Sequence, residues 1–303
     1  MADAVRTESL TKYFGAVVAL EALDLSVAPG EVYGFLGPNG AGKTTTIRIL
    51  LDLVRATSGR ALIDGLDCRA ASVEIRRRVG YLPAEMPLYR EMTGVGYLDF
   101  LAALESRPAD LSFRRKLLTR FDVSDIDLRR RLDRLSHGMK RKFGIIQALM
   151  GRPALLILDE PTSGLDPLMI EAFAETVHEL KTEGRTTIFL SSHVLSEVER
   201  LCDRVGIIRR GQLVRETSIA DLRRDTPRRL RVFFDRPAPP LPAALATAVR
   251  RSGDRHWELE WSGPLGSALD AMQGLPVADI EIEPFKLEDY VLKIYSGTSG
   301  ARE

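Results

Sequence analysis

The stretch Gly37–Thr45, with the sequence GPNGAGKTT, constrains this chain more than any other. It satisfies the pattern G-x-x-x-x-G-K-[ST], and it directly follows Val32–Leu36, an apolar run typical of a buried strand. Apolar residues then recur at helical spacing: Ile47, Leu50, Leu51 and Val54. A strand, a glycine-rich loop and a helix in this order predict a phosphate-binding loop inside an α/β fold.

The residue types in this loop fit the chemistry of a bound triphosphate. Gly37, Gly40 and Gly42 allow a tight turn that points backbone N–H groups at phosphate oxygens. Lys43 supplies a cation for the β- and γ-phosphates, and Thr44 supplies a hydroxyl for Mg²⁺. The other positions of the predicted nucleotide-binding loop are Pro38, Asn39, Ala41 and Thr45. The loop predicts nucleotide binding but does not by itself separate kinases, GTPases and transport ATPases.

A second landmark, LLILDEP at 155–161, places two acidic residues directly after an apolar, strand-length run. Ligands of parallel sheets bind at the carboxyl ends of the strands. We therefore predict that Asp159 holds the Mg²⁺ shell and that Glu160 polarises an attacking water. A solvated turn is the alternative interpretation of such a carboxylate pair, and the phosphate-binding loop argues against it.

Strand-length apolar runs alternate with helical stretches through residues 1–220, which we assign to one domain. The runs are Val32–Leu36, Val79–Leu82, Leu155–Leu158 and Thr186–Leu190. They predict a parallel sheet covered by helices on both faces. Between about residues 87 and 152 the spacing is helical without strand alternation, which predicts a helical subdomain inserted into the α/β body.

Residues 221–303 are predicted to form a small accessory α+β domain. A polar, basic bridge at 219–231 precedes it, and we interpret this bridge as a solvated linker, with contacts to anionic lipid as the alternative. The predicted strands are 230–234, 257–261 and 277–282, and the predicted helices are 243–251, 265–272 and 287–295. The domain either strengthens dimerisation or serves regulation and partner docking; the sequence favours neither.

Composition gives no support for several other classes of protein. Lys and Arg number 43 against 42 Asp and Glu, so the charge balance gives no reason to expect nucleic acid as a partner. Cys68 and Cys202 belong to no metal or disulfide pattern, which fits a reducing cytoplasm. We find neither a signal peptide nor an apolar stretch of about 18 residues that could span a bilayer. If the chain serves transport, the pore is expected on another polypeptide.

With these residues in place, the chain resembles the ATP-binding cassette (ABC) family from about Leu10 to Gly211. Phe14 lies where the family places an aromatic ring that stacks on adenine; Tyr13 is the second candidate, and a core aromatic is the alternative. LSHGM at 135–139 resembles the family signature LSGGQ. The resemblance implies that Ser136 caps a helix, and that Ser136 and Gly138 bind the γ-phosphate of a nucleotide held by a partner subunit.

Two further loops extend the resemblance. SGLD at 163–166, ending in Asp166, is similar to the loop through which paired subunits sense each other. SSH at 191–193 follows a strand, where the family carries a switch histidine on the γ-phosphate, here His193. One position departs from the family: Ala84 stands where many members have a glutamine that contacts Mg²⁺ or water. Glu85 or the loop backbone are the candidates to replace it.

The resemblance implies a P-loop NTPase fold with an antiparallel β portion, an inserted helical subdomain and the small C-terminal domain. It also implies an ATPase that uses Mg²⁺, with Lys43, Glu160 and His193 as catalytic residues. The expected partners are a second ATP-binding subunit, either another copy or a paralogue, and a separate transmembrane permease. Such a subunit is expected at the cytoplasmic face of the plasma membrane, held there by the permease.

The variant loop GYLP-x-E, the run MKRK in the signature helix and the tail LEDYVL resemble ATPases of bacterial exporters of drugs, lipids, polysaccharides or ions. Three alternatives stay open. An importer motor would differ in its membrane partner, and a soluble ABC ATPase acting on ribosomes or DNA usually carries two cassettes or long coiled-coil insertions. A non-catalytic regulatory subunit, suggested by Ala84 and the irregular signature, would lack ATPase activity.

Overall fold

The computed structural model describes residues 2–86, 89, 91–104, 110–225, 227–283 and 286–295. The chain divides into two compact units, Met1–Thr217 and Ser218–Glu303. The strands of the first unit are β1 (Val5–Phe14), β2 (Val17–Val27), β3 (Val32–Leu36), β4 (Ser58–Ile63), β5 (Leu66–Asp67), β6 (Val79–Leu82), β7 (Leu155–Asp159), β8 (Thr187–Ser192), β9 (Arg204–Arg209) and β10 (Gln212–Ser218). Its helices are α1 (Lys43–Leu50), α2 (Ser72–Arg76), α3 (Gly94–Leu104), α4 (Leu111–Arg120), α5 (Asp125–Arg129), α6 (His137–Leu149), α7 (Pro167–Glu183) and α8 (Leu195–Leu201).

A six-stranded sheet in the order β10-β9-β3-β8-β7-β6 forms the centre of the first unit. The pairs β3–β8, β3–β9, β7–β8 and β6–β7 are parallel. Every residue of β3, β7 and β8 is buried, which explains why these strands read as continuous apolar runs. The predicted parallel sheet is confirmed. Its carboxyl-terminal edge gathers the loops that follow β3, β7 and β8.

A second, antiparallel sheet in the order β2-β1-β4-β5 packs against the first through a shared hydrophobic core. Aromatic rings mark the centre of this core: Phe189 lies 5.8 Å from the Tyr33 ring and 5.4 Å from the Phe35 ring, measured between centroids. Helix α1 adds Ile47 and Leu50 to the same cluster. The packing fixes the phosphate-binding loop between the sheets.

Helices α3 to α6, with a short 3₁₀ turn at Leu132–Arg134, form the inserted helical subdomain between β6 and β7. The subdomain is closely packed: a Cβ added to Gly94 of α3 would lie 2.5 Å from Cζ of Phe143 on α6. Asp110 caps α4 by accepting a hydrogen bond from the backbone N–H of Phe113 at 2.9 Å. The helical segments predicted at Val95–Leu104 and Phe113–Phe121 are present within about two residues.

Helix α1 is shorter than its apolar spacing predicts. It ends at Leu50, and Asp52 adopts a left-handed backbone with a φ of 52°. Val54 therefore lies beyond the helix, although it still packs against the core cluster. Apolar periodicity alone cannot show this end, because a turn can return the chain to the same core.

The second unit is an α+β fold with strands β11 (Arg228–Phe234), β12 (Val249–Ser252), β13 (His256–Trp261) and β14 (Val277–Ile282). Its helices are α9 (Ile219–Asp225), α10 (Leu265–Asp270) and α11 (Leu287–Tyr295). The strands form one antiparallel sheet in the order β12-β13-β11-β14. The core contains Leu230, Val232, Leu259 and Trp257, among others.

Two expectations for this segment are wrong. The helix predicted at 243–251 is a 3₁₀ turn, Ala243–Ala248, followed by strand β12, because Val249 pairs with Leu259 of β13. The bridge at 219–231 is not an irregular linker: it contains α9, whose Ile219 and Leu222 are buried, and the start of β11. The exposed Arg223 and Arg224 at the end of α9 make this segment look like a solvated basic run in the sequence.

The folding stability of the second unit is expected to depend strongly on Trp257. This side chain is 1% exposed, and its ring meets Phe234 edge-on at a centroid distance of 4.6 Å. Trp257→Ala should destabilise the unit by about 3–5 kcal/mol. Hydrogen exchange followed by mass spectrometry should show faster exchange in peptides from β11 and β13 but not in those from β3. Leu269→Ala, at a side chain 42% exposed, is the control, and equal exchange in both variants would contradict this assignment.

Candidate nucleotide-binding and catalytic site

The predicted phosphate-binding loop lies between β3 and α1 at the carboxyl edge of the central sheet. Pro38, Asn39 and Gly40 are exposed at its tip, whereas Gly37 and Ala41 are buried and Thr45 is half-buried on the first turn of α1. Gly42 has a φ of 114°, and a Cβ there would lie 2.7 Å from the carbonyl oxygen of Ala19. Only glycine fits this position without strain.

Lys43 is 6% exposed, and its ammonium group folds back over the loop. Nζ donates hydrogen bonds to the carbonyl oxygens of Gly37 at 2.6 Å and Pro38 at 3.3 Å. The same atom lies 3.3 Å from Oε1 of Glu160, forming an ion pair. The loop lysine and the acidic residue after β7 are therefore brought together, as the sequence motifs predict.

Thr44 and Asp159 also meet, although they are 115 positions apart in the sequence. The Thr44 hydroxyl donates to Oδ2 of Asp159 at 2.9 Å, and the Ser191 hydroxyl donates to Oδ1 of the same carboxylate. Asp159 is fully buried. A hydroxyl beside a carboxylate offers hard oxygen donors, the ligand type that Mg²⁺ takes in proteins, so these residues fit the expected ion.

Glu160 has a backbone conformation that is rare for its residue type. Its φ is 51°, in the left-handed region, which costs on the order of 1 kcal/mol or more for a residue with a Cβ. Its N–H donates to the carbonyl oxygen of Ser191 at 3.1 Å, and its Oε2 lies 2.6 Å from Nδ1 of His193. Oε1 is buried and, among the described residues, accepts no hydrogen bond. Such an acceptor can take a proton from a water molecule held beside it.

His193 lies just after β8 with a side chain that is 51% exposed. Glu197, on α8, supports its loop by accepting hydrogen bonds from the hydroxyls of Ser192 and Thr162. Thr162 belongs to the loop after Glu160, so one carboxylate joins the two segments that carry Glu160 and His193. The motifs did not reveal Glu197; its place in the first turn of α8, four positions after His193, was the available signal.

Arg141 is the other residue that the motifs did not reveal. Its side chain is 2% exposed, and burial lowers the pKa of its guanidinium to about 10. This value still leaves the group charged at neutral pH. Within the described part of the chain, its hydrogen bonds all go to main-chain carbonyl oxygens, which belong to Pro83, Ala84, Asp159, Glu160 and Pro161. The side chain of Ala84 is exposed, so it is the carbonyl of this residue that is tied to the site.

The signature residues lie at the start of α6. Ser136 caps the helix by accepting from the N–H of Met139 at 3.2 Å. His137 packs against Gly164 of the 163–166 loop: a Cβ on Gly164 would lie 2.7 Å from Cδ2 of His137. In the described part of the chain, no hydrogen bond joins Ser136 or Gly138 to the phosphate-binding loop. The helix N-terminus is therefore not part of this chain's own Lys43 site.

Two predicted residues flank this arrangement. Asp166 caps α7 by accepting from the N–H of Met169 at 3.0 Å. Phe14 lies at the turn between β1 and β2 with 50% exposure, and Lys12 Nζ lies 4.7 Å from its ring centroid. Tyr13 beside it is 42% exposed. Phe14 is thus not a core residue, and its ring is exposed enough to stack on a planar ligand.

Fold and site together define a P-loop nucleoside triphosphatase with an inserted helical subdomain. The family model described as ABC transporter matches residues 20–163. The bacitracin transport ATP-binding protein BcrA of Bacillus licheniformis is 34% identical over 98% of this chain and 99% of its own length. The daunorubicin resistance ATP-binding protein DrrA3 of Streptomyces coeruleorubidus is 34% identical over 97% of this chain and 93% of its own. The chain belongs to the ABC transporter family as an ATP-binding subunit that hydrolyses ATP.

Solved structures agree with this assignment. An ATP-binding subunit of an ABC transporter superimposes with a TM-score of 0.67 at 32% identity, covering 73% of this chain and 92% of that one. The cassette MJ0796, solved as a dimer in a post-hydrolysis state with ADP and Pi, shares the fold with a TM-score of 0.64 at 23% identity, covering 71% of this chain and 98% of that one. Among the described residues, no helix is long and apolar enough to cross a membrane.

Proposed function

We propose that this subunit drives an exporter of antibiotic-like compounds through a permease that is a separate polypeptide. The observation that carries the proposal is the extent of the match. Two relatives named for bacitracin transport and daunorubicin resistance align over nearly the whole chain, including the unit from Ser218 onward. An uncharacterised relative, YcbN of Bacillus subtilis, also aligns over 97% of the chain. Five further relatives, one of them a second bacitracin transport protein, cover 68–73%. We assign residues 1–220 to the cassette and 221–303 to an accessory domain of this branch.

Binding of ATP is proposed to begin with Lys43. The triphosphate accepts hydrogen bonds from the backbone N–H groups of the loop, and the Lys43 ammonium exchanges its contacts with Gly37 and Pro38 for phosphate oxygens. Thr44 and Asp159 are the residues that would hold Mg²⁺. The ion would neutralise charge on the β- and γ-phosphates.

Hydrolysis is assigned to Glu160 and His193. When Lys43 turns to the phosphates, it leaves Oε1 of Glu160, and this oxygen can then accept a proton from the attacking water. His193, which is 2.6 Å from the other oxygen of the same carboxylate, is placed to donate to the γ-phosphate. The left-handed backbone of Glu160 directs its side chain toward Lys43 and His193.

A second subunit, either another copy or a paralogue, is proposed to complete each site. Ser136 and Gly138 lie at a capped helix N-terminus, which favours anion binding, but they make no contact with the Lys43 loop of their own chain within the described residues. In a head-to-tail pair, each signature helix would meet the γ-phosphate on the facing subunit, with the Asp166 loop between them. The complex would sit at the cytoplasmic face of the membrane.

The export function is tested by deleting the gene in its host. We expect greater sensitivity to peptide antibiotics or anthracyclines and higher cellular accumulation of these compounds. The wild-type gene should restore resistance, whereas a gene carrying Glu160→Gln should not. Lower accumulation after deletion would indicate an importer, and restoration by the Glu160→Gln gene would show that export does not need hydrolysis at this site.

Phe14→Ala should weaken ATP binding by roughly tenfold, because stacking of a base on an aromatic ring contributes about 1–3 kcal/mol. Binding of a fluorescent ATP analogue to the purified protein measures this effect. Tyr13→Ala is the matched variant, since the two rings are adjacent and similarly exposed. A larger loss with Tyr13→Ala would transfer the adenine contact from Phe14 to Tyr13.

A further inference from the structure

The guanidinium of Arg141 uses its whole donor capacity on two loops. Nε donates to the carbonyl oxygen of Pro161 at 3.0 Å. Nη1 donates to the carbonyls of Pro83 at 2.6 Å and Ala84 at 3.1 Å, and Nη2 donates to those of Asp159 and Glu160. An arginine has five N–H donors, and all of them are engaged here. Every acceptor is a main-chain carbonyl.

This arrangement is unfavourable unless the geometry is maintained. A buried cation loses its hydration, and for Arg141 the loss is offset by its hydrogen bonds to carbonyl oxygens and by attraction to the carboxylates of Asp159 and Glu160. Lys140 and Lys142, its neighbours on α6, are less buried than Arg141. Because a displacement of either loop breaks charge-assisted bonds in a dry environment, Arg141 holds the two loops in one relative position.

The first loop held in this way carries Glu160. Arg141 bonds to the carbonyls of the residues before, at and after the position with a φ of 51°. These three bonds fix the peptide planes on both sides of Glu160. The direction of the Glu160 side chain, and hence its approach to Lys43 and His193, depends on them.

The second loop follows β6 and contains Ala84, whose side chain has no polar group. The link between this loop and Glu160 therefore runs through main-chain carbonyls and one guanidinium. Arg141 itself belongs to α6, the helix that Ser136 caps. A shift of α6 would reach Glu160 through the same side chain.

We propose that Arg141 is a positioning residue that sets the orientation of Glu160 from helix α6 and the 83–84 loop. It thereby couples hydrolysis in one subunit to the engagement of its signature helix by the facing subunit. The inference rests on the proposed role of Glu160 as the base. In this chain, the hydrogen bonds of Arg141 to the 83–84 loop take the place of the glutamine that many family members have where Ala84 stands.

Arg141→Lys and Arg141→Gln test the proposal in the full-length protein. Lysine keeps the charge but cannot bridge the two loops with a planar fork. We expect kcat for ATP to fall roughly 10- to 100-fold, because a displacement of about 1 Å at a catalytic group can have that effect, while KM stays within about threefold. Lys142→Gln is the control: Lys142 is the next residue on α6, and its ammonium donates a long, 3.4 Å hydrogen bond to the Asp122 carbonyl, away from the site. Its kcat should equal that of the wild type.

A double-mutant comparison separates positioning from a merely structural role. In a Glu160→Gln background, Arg141→Gln should change residual single-turnover hydrolysis by less than about twofold, because the group it positions is already inactive. A structural role would lower activity by the same factor in both backgrounds. That result would overturn the proposal, as would an unchanged kcat in both Arg141 variants.

Folding and the proposed function are controlled separately. If Arg141→Gln does not fold, as judged by thermal unfolding, Arg141→Lys takes its place in both comparisons. If Glu160→Gln abolishes turnover but the Arg141 variants turn over ATP like the wild type, the positioning role alone is refuted. Unchanged turnover in Glu160→Gln would refute both the base assignment and the inference that depends on it.

Discussion

Replacing Glu160 with glutamine is expected to lower ATP turnover by about 100-fold or more, because an amide cannot accept the proton of the attacking water. ATP binding should persist, since Lys43, Thr44 and the loop amides are unchanged. The variant should therefore accumulate as an ATP-bound dimer that cannot reopen. Phosphate release measures the turnover, and size-exclusion chromatography with and without ATP detects the dimer.

Glu175→Gln provides the matched control for this experiment. It makes the same chemical change on α7, where the Glu175 side chain is 62% exposed and its contact with Arg120 is 4.0 Å long. Its turnover should equal that of the wild type. Undiminished turnover in Glu160→Gln would dismiss this residue as the base.

The motifs predicted the centre of the site because each one is a short segment with a fixed place in the fold. Thr44 follows β3 and Asp159 ends β7. The parallel pairing of β3, β8 and β7 brings the carboxyl ends of these strands together. Lys43 and Glu160 meet for the same reason. A sequence that predicts the strands and their carboxyl-end loops therefore predicts these contacts as well.

Arg141 and Glu197 could not be predicted in this way. Arg141 binds a carbonyl 58 positions earlier in the chain, and its acceptors are main-chain atoms, which have no residue-specific pattern. Between Lys140 and Lys142 it reads as one more cation on a solvated helix face. Its burial is a result of tertiary packing, and only the structure separates it from its neighbours.

In the second unit, the errors have a different cause. The elements are short, and Ala243–Ala248 is a 3₁₀ turn in which buried Leu245 and Ala248 are three positions apart, a spacing that also fits an α-helix. The strand that follows was hidden because β12 has only four residues and most of them are exposed. Strand β12 lies at the edge of the sheet and has β13 as its neighbour on one side. This edge position accounts for its exposed, polar residues.

The ion pair between Lys43 and Glu160 indicates that Glu160 becomes available to the attacking water only after ATP has bound. In this structure, the lysine cation lies 3.3 Å from the oxygen proposed to accept the proton. Transfer of Lys43 to the phosphates would therefore leave Oε1 of Glu160 accessible to the attacking water when the substrate arrives.

The second large effect is expected from complementation between two inactive subunits. Gly138→Asp should abolish turnover, because it adds a carboxylate at the helix N-terminus proposed to bind the γ-phosphate of the facing subunit. Lys43→Met should abolish turnover by removing the cation of the phosphate-binding loop. Mixing the two variants should restore activity, since a mixed dimer contains one intact site built from the Lys43 loop of one chain and the signature helix of the other.

The size of the recovery discriminates between the models. Random pairing makes about half of the dimers mixed, each with one intact site of two, so roughly a quarter of wild-type activity should return. Gly138→Ala tests sterics, because its Cβ would lie 3.3 Å from the Gly164 carbonyl but adds no charge; it should retain more activity than Gly138→Asp. If each chain completed its own site, the mixture would stay as inactive as its parts, and the facing-subunit arrangement would have to be abandoned.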